Sequence, residues 1–340
     1  MAVTIKDIAK IADVSVSTVS RCLNDNPRIS EKTRIRVKTI ADDLGFVPNN
    51  SARSLSTKKT GLIGLVYQET LVEDGSRSYI EALFINLRTE LERFQMDTIQ
   101  IEAINTHTHE SNAIRLIKEN KIDGFLFFHT QVTPADINTL KKYNIPAVQV
   151  HFDPQFTDMK NLDYFVTDNF YGGYLAAKHL IQKGCKRTLL VGCAPNIGKE
   201  FNDRSDGFKK AMEEEGIKQD AELEFLIACD VSVAYNFTVS HIESIKTCDS
   251  IFAQADVIAV GMIQALLSQG IRVPEDIKVI GFDDSYYSRI LPPFITTIHQ
   301  PKEEITLKAT QRIHNLVKKG NDGLLIQEEL KPYLIEREST

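Results

Sequence analysis

The sequence of 340 residues contains no tryptophan and none of the short motifs that hold a nucleotide or a catalytic nucleophile. No GxGxxG follows an apolar run and no GxSxG occurs, so dinucleotide and esterase chemistry have no support. The segment from Gly192 to Lys199 imitates a phosphate-binding loop, but Glu200 stands where Ser or Thr would bind magnesium and the glycines are one residue too far apart. We interpret it as a strand-to-helix loop, and we expect neither a cofactor nor an enzymatic activity.

Cysteines and long apolar runs are also scarce. The five cysteines are odd in number and lack CxxC spacing, which indicates reduced structural thiols. His107 and His109 lie on one extended segment without a third ligand nearby, so we expect a solvated loop there and no metal site. No apolar run approaches the roughly 18 residues of a membrane span, and no secretory signal opens the chain. These absences predict a cytoplasmic protein.

The net charge of −6 is unevenly distributed along the chain. Residues 1–60 carry 11 Lys or Arg against 6 Asp or Glu, whereas the other 280 residues carry 29 against 40. A basic end on an acidic body predicts that affinity for nucleic acid is confined to that end. Such binding weakens steeply with salt, because phosphate neutralisation releases counterions.

The segment TIKDIAKIADVSVSTVSRCLN, residues 4–24, has the apolar spacing of two short helices separated by a break. The first helix is expected over residues 5–11 with Thr4 as its N-cap, and the second begins at Val16 with Ser15 as its N-cap. Apolar residues of both helices share one seam, which leaves the opposite face of the second helix free. That face carries Val16, Ser17 and Arg21, and a helix presented in this way fits the major groove of DNA. The segment therefore predicts a helix-turn-helix.

A third helix and a polar linker follow the helix-turn-helix. Ser30 is the expected N-cap of a helix over residues 31–44, which Gly45 and Pro48 end. The segment 49–56 is too short and too polar to form a stable helix alone. We therefore expect a small all-α helix-turn-helix headpiece at 1–48 and a hinge helix or linker at 49–60.

Three stretches of the chain resemble, in order and spacing, the headpiece of the lactose repressor (LacI/GalR) family of bacterial transcription regulators. They read TIKDIAKIADVSVSTVSRCLN, ISEKTRIRVKTIADDLGFVPN and SARSLSTKKTGLIGLV. Later motifs extend the resemblance over essentially the whole chain. One departure lies at the turn, where the family usually has Gly and this chain has Asp13. Because Asp tolerates left-handed backbone better than most residues, we expect the turn to form.

The resemblance implies which headpiece residues contact DNA. The expected base-reading positions are Val16, Ser17 and Arg21. The expected phosphate contacts are Ser15, Thr18 and Asn24. In the family the hinge segment becomes helical on the operator and wedges a leucine into the minor groove, and Leu55 stands at that position. The alternatives are a phosphate-only contact for Arg21 and an ordinary linker role for Leu55.

From Gly61 onward, apolar strands alternate with amphipathic helices, which predicts parallel sheets with helices on both faces. The strands fall into two series, so we expect an α/β body of two doubly wound parallel-sheet subdomains with a cleft between them. The resemblance implies the same periplasmic binding protein-like body at 61–340. It places the first subdomain at 61–160 and 292–322, and the second at 161–291 and 323–340.

The resemblance also implies an effector site where the carboxyl ends of strands face the cleft. The segment 202–208 resembles a family motif whose arginine is Arg204 here, and GFDD at 281–284 resembles another whose first aspartate is Asp283. An arginine opposed to an aspartate can satisfy both the acceptor and the donor of a sugar hydroxyl, although a buried salt bridge without ligand is the alternative. The other expected effector contacts are Gln68, Glu69, His151, Asp168 and Gln254.

One departure bears on the ligand. Where the family often has Asn or Thr, this chain has Ala255, so a polar contact to the ligand is lost or moved to Gln254. This puts lactose-like ligands in doubt without excluding sugars.

The sequence therefore predicts a nucleoid-associated transcription repressor that acts as a homodimer or tetramer on near-palindromic double-stranded operator DNA. A small molecule in the cleft, a sugar or sugar phosphate, is expected to control it. One alternative is a global regulator of the same family that a phosphorylated partner protein controls. The other is a sugar-binding transport protein, which the headpiece and the missing signal segment disfavour.

Overall fold

The computed structural model of the chain describes residues 3–23, 26–46, 59–67, 77–128, 132–150, 162–194 and 199–340. It divides into two compact units, Met1–Thr60 and Gly61–Thr340. We call them the headpiece and the body.

The described part of the headpiece contains the three helices that the apolar spacing predicts: Ile5–Ile11 (α1), Val16–Leu23 (α2) and Glu31–Asp43 (α3). Asp7 accepts hydrogen bonds from the backbone N–H of Thr4 at 2.9 Å and from its hydroxyl at 2.7 Å, which closes the first turn of α1. Ser30 accepts from the Thr33 N–H at 3.3 Å, so the predicted cap of α3 is in place. The core between the helices contains Ile8, Val19, Cys22 and Val37.

The described residues of the body form two sheets of six strands each. The sheet of the first subdomain is entirely parallel and has the order β11-β5-β4-β3-β1-β2. Its strands are Leu62–Tyr67 (β1), Asp97–Glu102 (β2), Gly124–Phe127 (β3), Ala147–Gln149 (β4), Asp163–Thr167 (β5) and Gln327–Leu330 (β11). The sheet of the second subdomain has the order β12-β10-β9-β8-β6-β7, with β12 antiparallel to β10. Its strands are Thr188–Cys193 (β6), Glu224–Ile227 (β7), Ser250–Ala253 (β8), Lys278–Asp283 (β9), Thr296–His299 (β10) and Tyr333–Ile335 (β12).

Helices cover both sheets, because the central strands, such as β3, β6 and β8, are buried along their whole length and need partners on each face. In the first subdomain these helices are Arg77–Arg93 (α4), Asn112–Lys118 (α5), Pro134–Tyr143 (α6) and Lys302–Lys319 (α12). In the second they are Asn169–Gln182 (α7), Lys199–Glu214 (α8), Val231–Ser240 (α9), Ile242–Ile245 (α10) and Asp256–Ser268 (α11). Two 3-10 turns at Ala221–Leu223 and Tyr286–Arg289 complete the described elements.

The subdomain boundaries expected from the sequence are wrong at three strands. β5 and β11 pair with each other in the first sheet, although both were expected in the second subdomain. β10 pairs with β9 in the second sheet, although it was expected in the first. The reason is that a buried strand of either sheet reads as the same short apolar run, so the pattern predicts a strand without saying which sheet it joins.

A buried ion pair holds β5 and the segment before β11 in the first subdomain. The Arg312 side chain of α12 donates from Nε to Asp163 Oδ2 at 2.7 Å and from Nη1 to Asp322 Oδ2 at 2.6 Å. Asp163 Oδ1 also accepts from the Ile326 N–H at 2.6 Å. The strand order gives three crossings between the subdomains in the described residues, after Thr167, after Gln300 and after Leu330.

All five cysteines are buried and carry free thiols, as the absence of CxxC spacing indicates. In the described part of the chain, no helix is long and apolar enough to cross a membrane.

Candidate functional site

The outer face of α2 is exposed to solvent in the described part of the headpiece. Val16 is 45% exposed, and Ser17 and Arg21 are also exposed. Val19 and Cys22, on the opposite face, are fully buried. The predicted orientation of the helix is therefore confirmed, while the base and phosphate contacts themselves stay predictions.

A cluster of hydroxyl groups begins α2. Ser15 Oγ accepts from the Thr18 backbone N–H at 3.1 Å, which confirms Ser15 as the cap. The Ser15 hydroxyl also lies 2.8 Å from the hydroxyls of both Ser17 and Thr18. One hydrogen-bonding position of the Ser17 hydroxyl is therefore already used within the headpiece. Asn24 and Leu55 lie outside the described residues.

The turn between α1 and α2 forms with Asp13 in the left-handed region at φ 47°, where the family usually has Gly. Arg36 of α3 donates from Nη2 to the backbone carbonyl of Ala12 at 2.9 Å. This bond satisfies a carbonyl at the end of α1, and sequence reasoning missed it because the two residues lie far apart in the chain.

Polar side chains meet in the body where three neighbouring parallel strands end. Gln254 follows β8, Asp283 is the last residue of β9, and Gln300 follows β10. Because the carboxyl ends of parallel strands lie at one edge of a sheet, the topology brings the three together, as expected for a ligand site in this fold class. Asp283 accepts a hydrogen bond from Gln300 Nε2 at 2.7 Å, so side chains from two neighbouring strand ends are in direct contact.

Arg204 of α8 reaches the same edge and is only 4% exposed. Its Nε donates to Asn169 Oδ1 at 2.9 Å, and its Nη1 donates to the backbone carbonyl of Gln254 at 2.6 Å. The guanidinium lies 3.7 Å from the centre of the Phe282 ring and 4.0 Å from Asp283 Oδ1. The structure therefore brings the two principal predicted effector residues together as a buried, long ion pair.

A close crossing of α7 and α8 sets the position of Arg204. A Cβ atom on Gly173 would lie 1.9 Å from the Arg204 backbone oxygen, and one on Gly207 would lie 1.9 Å from the Phe170 backbone oxygen. Only glycine permits this approach, since neither backbone can move aside without separating the helices. The Asn169–Arg204 hydrogen bond depends on this spacing.

Two buried carboxyl groups lie next to each other at the site. Burial raises the pKa of Asp256 to about 8, and the neighbouring Asp283 carboxylate acts in the same direction. Burial also raises the pKa of Asp283 to about 6, although Arg204, Gln300 and Lys302 oppose this. Thr297 Oγ1 donates to Asp256 at 2.6 Å and the Ser285 N–H donates at 2.7 Å. Burial and the neighbouring Asp283 carboxylate therefore both favour the protonated form of Asp256.

The remaining predicted contacts have mixed outcomes. Asp168 caps α7, because its Oδ1 accepts from the Tyr171 N–H at 2.8 Å. Gln254 donates from Nε2 to Ser205 Oγ at 2.6 Å, while its Oε1 is buried without a hydrogen-bond partner in the described residues. Ala255 is the N-cap of α11 and makes no side-chain cap, as expected from its methyl group. The expected contacts outside the described residues are Gln68, Glu69 and His151.

Sequence reasoning missed Asn169, which accepts from Arg204, and Gln300, which donates to Asp283. It also missed Thr167, which donates to Gln300. The sequence signal that could have identified these residues is that each lies at or just after the end of a strand. His107 and His109 are exposed, and no group of three or more His, Cys, Asp or Glu in the described ranges could hold a metal ion. Residues 195–198 of the loop after β6 lie outside the described residues.

Models of known protein families match segments of both the headpiece and the body. Residues 4–49 match the model described as bacterial regulatory proteins, lacI family, and residues 177–340 match a periplasmic binding protein-like domain. The HTH-type transcriptional regulator RegA of Clostridium saccharobutylicum is 31% identical over 344 residues that cover all of both chains.

Two solved structures share the fold. The lac repressor dimer bound to operator and the anti-inducer ONPF has a TM-score of 0.79 at 20% identity and covers 100% of this chain and 99% of its own. The complex of the transcriptional regulator CelR with cellobiose has a TM-score of 0.71 at 22% identity and covers 99% of this chain and 100% of its own.

Proposed function

The chain belongs to the lacI family of bacterial regulatory proteins and is a transcription regulator, not an enzyme; from this premise we propose that it is a homodimeric repressor whose operator affinity a small molecule in the body controls. The ligand we propose is a neutral or phosphorylated sugar. The single observation that carries the proposal is the combination of an exposed recognition face on α2 with the buried Arg204–Asp283 pair at the strand ends.

On the DNA side, the proposed readers are Val16, Ser17 and Arg21. The exposed guanidinium of Arg21 suits the O6 and N7 acceptors of a guanine, and the Val16 methyl groups suit a thymine methyl. Ser15, Thr18 and Asn24 are proposed at phosphates, where they would orient the helix without selecting bases. Leu55 is proposed as the minor-groove wedge at the centre of the operator.

On the ligand side, two groups without a hydrogen-bond partner in the described residues and one buried carboxyl group support a ligand rich in hydroxyl groups. Arg204 Nη2 has no hydrogen-bond partner among the described residues, and the buried Gln254 Oε1 lacks a donor. Asp283 accepts hydrogen bonds, so hydroxyl groups that both donate and accept can satisfy all three groups at once. The CelR complex contains cellobiose, and this makes a sugar the first class to test here.

Control of the operator requires that the ligand favours one arrangement of the subdomains. A ligand that moves the protein from mostly one arrangement of the subdomains to mostly the other must bind the second arrangement more tightly by about 5.5 kcal/mol. The three crossings between the subdomains are where such a change would occur. A ligand that favours the arrangement with the lower operator affinity acts as an inducer, and one that favours the arrangement with the higher operator affinity acts as a corepressor.

The experiment for the DNA side is selection of binding sites from a random duplex library with the full chain. Replacing Arg21 by Lys keeps the charge but removes the bidentate fork, so we expect the preference for one base per half-site to fall by about 1–3 kcal/mol while the salt dependence stays. Lys10→Ala, a change at an exposed cation on α1, is the control and should leave the base preference intact. An unchanged preference in Arg21→Lys would refute the assignment of the recognition helix.

The experiment for the ligand side is a thermal-shift screen of sugars and sugar phosphates. A specific ligand at 100 times its dissociation constant should stabilise the chain by about 2.7 kcal/mol. The shift should disappear in Asp283→Asn. No shift from any member of the panel would contradict the proposed sugar class.

A further inference from the structure

Three buried side chains form a hydrogen-bonded bridge between the two subdomains. Gln300 Nε2 donates to Asp283 Oδ1 at 2.7 Å, and Gln300 Oε1 accepts from the Thr167 hydroxyl at 2.8 Å. Thr167, Asp283 and Gln300 are 6%, 7% and 3% exposed. Both hydrogen-bonding ends of one amide are thus occupied, and water has little access to either bond.

The bridge joins elements that belong to different sheets. Thr167 ends β5 in the first subdomain, and Asp283 ends β9 in the second. Gln300 lies between β10 and α12, at one of the three crossings of the chain. The amide therefore links the ligand-binding edge of the second sheet to the corresponding edge of the first.

On the side of the first subdomain, the bridge continues into the core. The Tyr79 hydroxyl of α4 is hydrogen-bonded to Thr167, and Tyr79 is buried among the apolar residues of that subdomain. Thr167 is therefore held by packed structure as well as by its own strand. Burial raises the pKa of the Tyr79 hydroxyl, so the group stays protonated.

On the side of the second subdomain, the bridge ends on strained backbone. Asp283 has φ 114° and Asp284 has φ 46°, both in the region that residues other than glycine rarely adopt. Asp284 is fixed by His299 Nδ1 at 2.9 Å and by Arg337 Nη2 at 2.5 Å, whereas Gln300 holds Asp283. Such conformations persist only where surrounding contacts enforce them, so loss of one contact lets the turn move.

We propose that Thr167, Gln300 and Asp283 form a latch that holds the two subdomains together in the ligand-free protein, with Gln300 as its positioning residue. Under the proposed function, on which this consequence rests, a ligand hydroxyl that binds Asp283 competes with the Gln300 amide. Binding of the ligand then releases the Thr167 link and frees the subdomains to change their angle.

The latch is tested first in the ligand-free full chain by hydrogen exchange and mass spectrometry. Thr167→Val removes the donated hydrogen bond and nearly preserves shape, so protection of the amides in 163–167 and 296–300 should fall roughly two- to tenfold, as for one hydrogen bond. Thr310→Val is the matched control, because Thr310 is also buried and its hydroxyl donates to the Thr306 carbonyl within one helix. Equal protection of both segments in the two variants would overturn the latch.

Continuity through Gln300 is tested by combining variants. If Thr167 and Asp283 act through one amide, Asp283→Ala and the double variant Thr167→Val/Asp283→Ala should lose the same protection in 163–167. If the two residues are independent, the losses multiply, and the bridge is then not a unit. Gln300→Leu should reproduce the single-variant effect, and a wild-type exchange pattern in it would also contradict the proposal.

Competition with ligand is tested with the sugar of the panel that gives the largest thermal shift. Since Thr167→Val makes Gln300 easier to displace, this variant should bind that sugar two- to tenfold more tightly than wild type, whereas Thr310→Val should not. Equal affinity in the two variants would exclude competition. If no sugar gives a shift, the proposed function has failed, and the exchange experiments, which use neither ligand nor DNA, judge the latch by themselves.

Discussion

Replacing Arg204 by Met tests whether the buried ion pair organises the site. Met keeps the apolar contact with the Phe282 ring but removes the hydrogen bonds to Asn169 and to the Gln254 carbonyl, at 2.9 and 2.6 Å. It also removes the guanidinium beside Asp283, which is 7% exposed. Breaking a buried pair by removing one partner costs about 3–5 kcal/mol. We expect a loss in this range at pH 7.5 and above.

The loss should depend on pH, because Asp283 can escape the penalty by binding a proton. Burial already raises its pKa to about 6, and loss of Arg204 raises it further. Below about pH 5 the carboxyl is neutral in the variant, so only the lost hydrogen bonds remain. The difference in unfolding free energy between wild type and Arg204→Met should therefore grow as the pH rises from 5 to 8.

Urea denaturation followed by circular dichroism measures these differences. Arg187→Met is the control, since the Arg187–Asp220 pair spans 3.3 Å at the surface with the arginine side chain 50% exposed and should contribute no more than about 1 kcal/mol. Adding Asp283→Asn to Arg204→Met should recover about 1–3 kcal/mol by removing the unpaired charge. If Arg204→Met costs no more than Arg187→Met at pH 7.5, the ion pair does not organise the site.

Three further predictions concern the backbone and the buried carboxyl groups. Gly173→Ala places a methyl group against the Arg204 backbone and should destabilise the body by more than about 2 kcal/mol, measured by urea denaturation; full stability would contradict the close crossing. Burial raises the folded-state pKa of Asp256 from 3.8 to about 8, so the wild-type protein loses stability as the pH rises between those values. Asp256→Asn has no carboxyl group to ionise, so thermal melts should show it gaining stability relative to wild type across that interval. A constant difference between the two proteins from pH 4 to 8 would refute the assignment. Asp13→Gly should stabilise the headpiece by about 0.5–1 kcal/mol, because glycine adopts φ 47° without strain. Asp13→Ala should not stabilise it. Hydrogen exchange of the amides in α1 and α2 should therefore slow in the glycine variant and not in the alanine variant.

Local signals in the sequence predict the headpiece closely. Thr4, Ser15 and Ser30 are short polar residues that precede apolar periodicity, and each acts at the start of the helix it was expected to cap. The apolar stripe of α2 predicts which face is buried. Such features depend on neighbours within one turn, and for this reason they can be read from the sequence.

Features that depend on distant pairing could not be predicted in the same way. The runs at β5, β10 and β11 read as strands, but only the hydrogen bonds to β11, β9 and β5 decide which sheet each of them joins. Similarly, motifs identified Arg204 and Asp283, whereas Asn169 and Gln300 belong to no motif. They become part of the site because the topology places separate strand ends at one edge.

The most direct test of the account measures DNA affinity and ligand binding in the same protein. The duplex selected by the full chain is titrated by fluorescence anisotropy with and without the sugar that gives the largest thermal shift. We predict that the sugar changes the dissociation constant of the wild-type chain by roughly 5- to 150-fold, and that Asp283→Asn removes this change while it retains DNA affinity. The same DNA affinity with and without bound sugar in the wild-type chain would contradict the account.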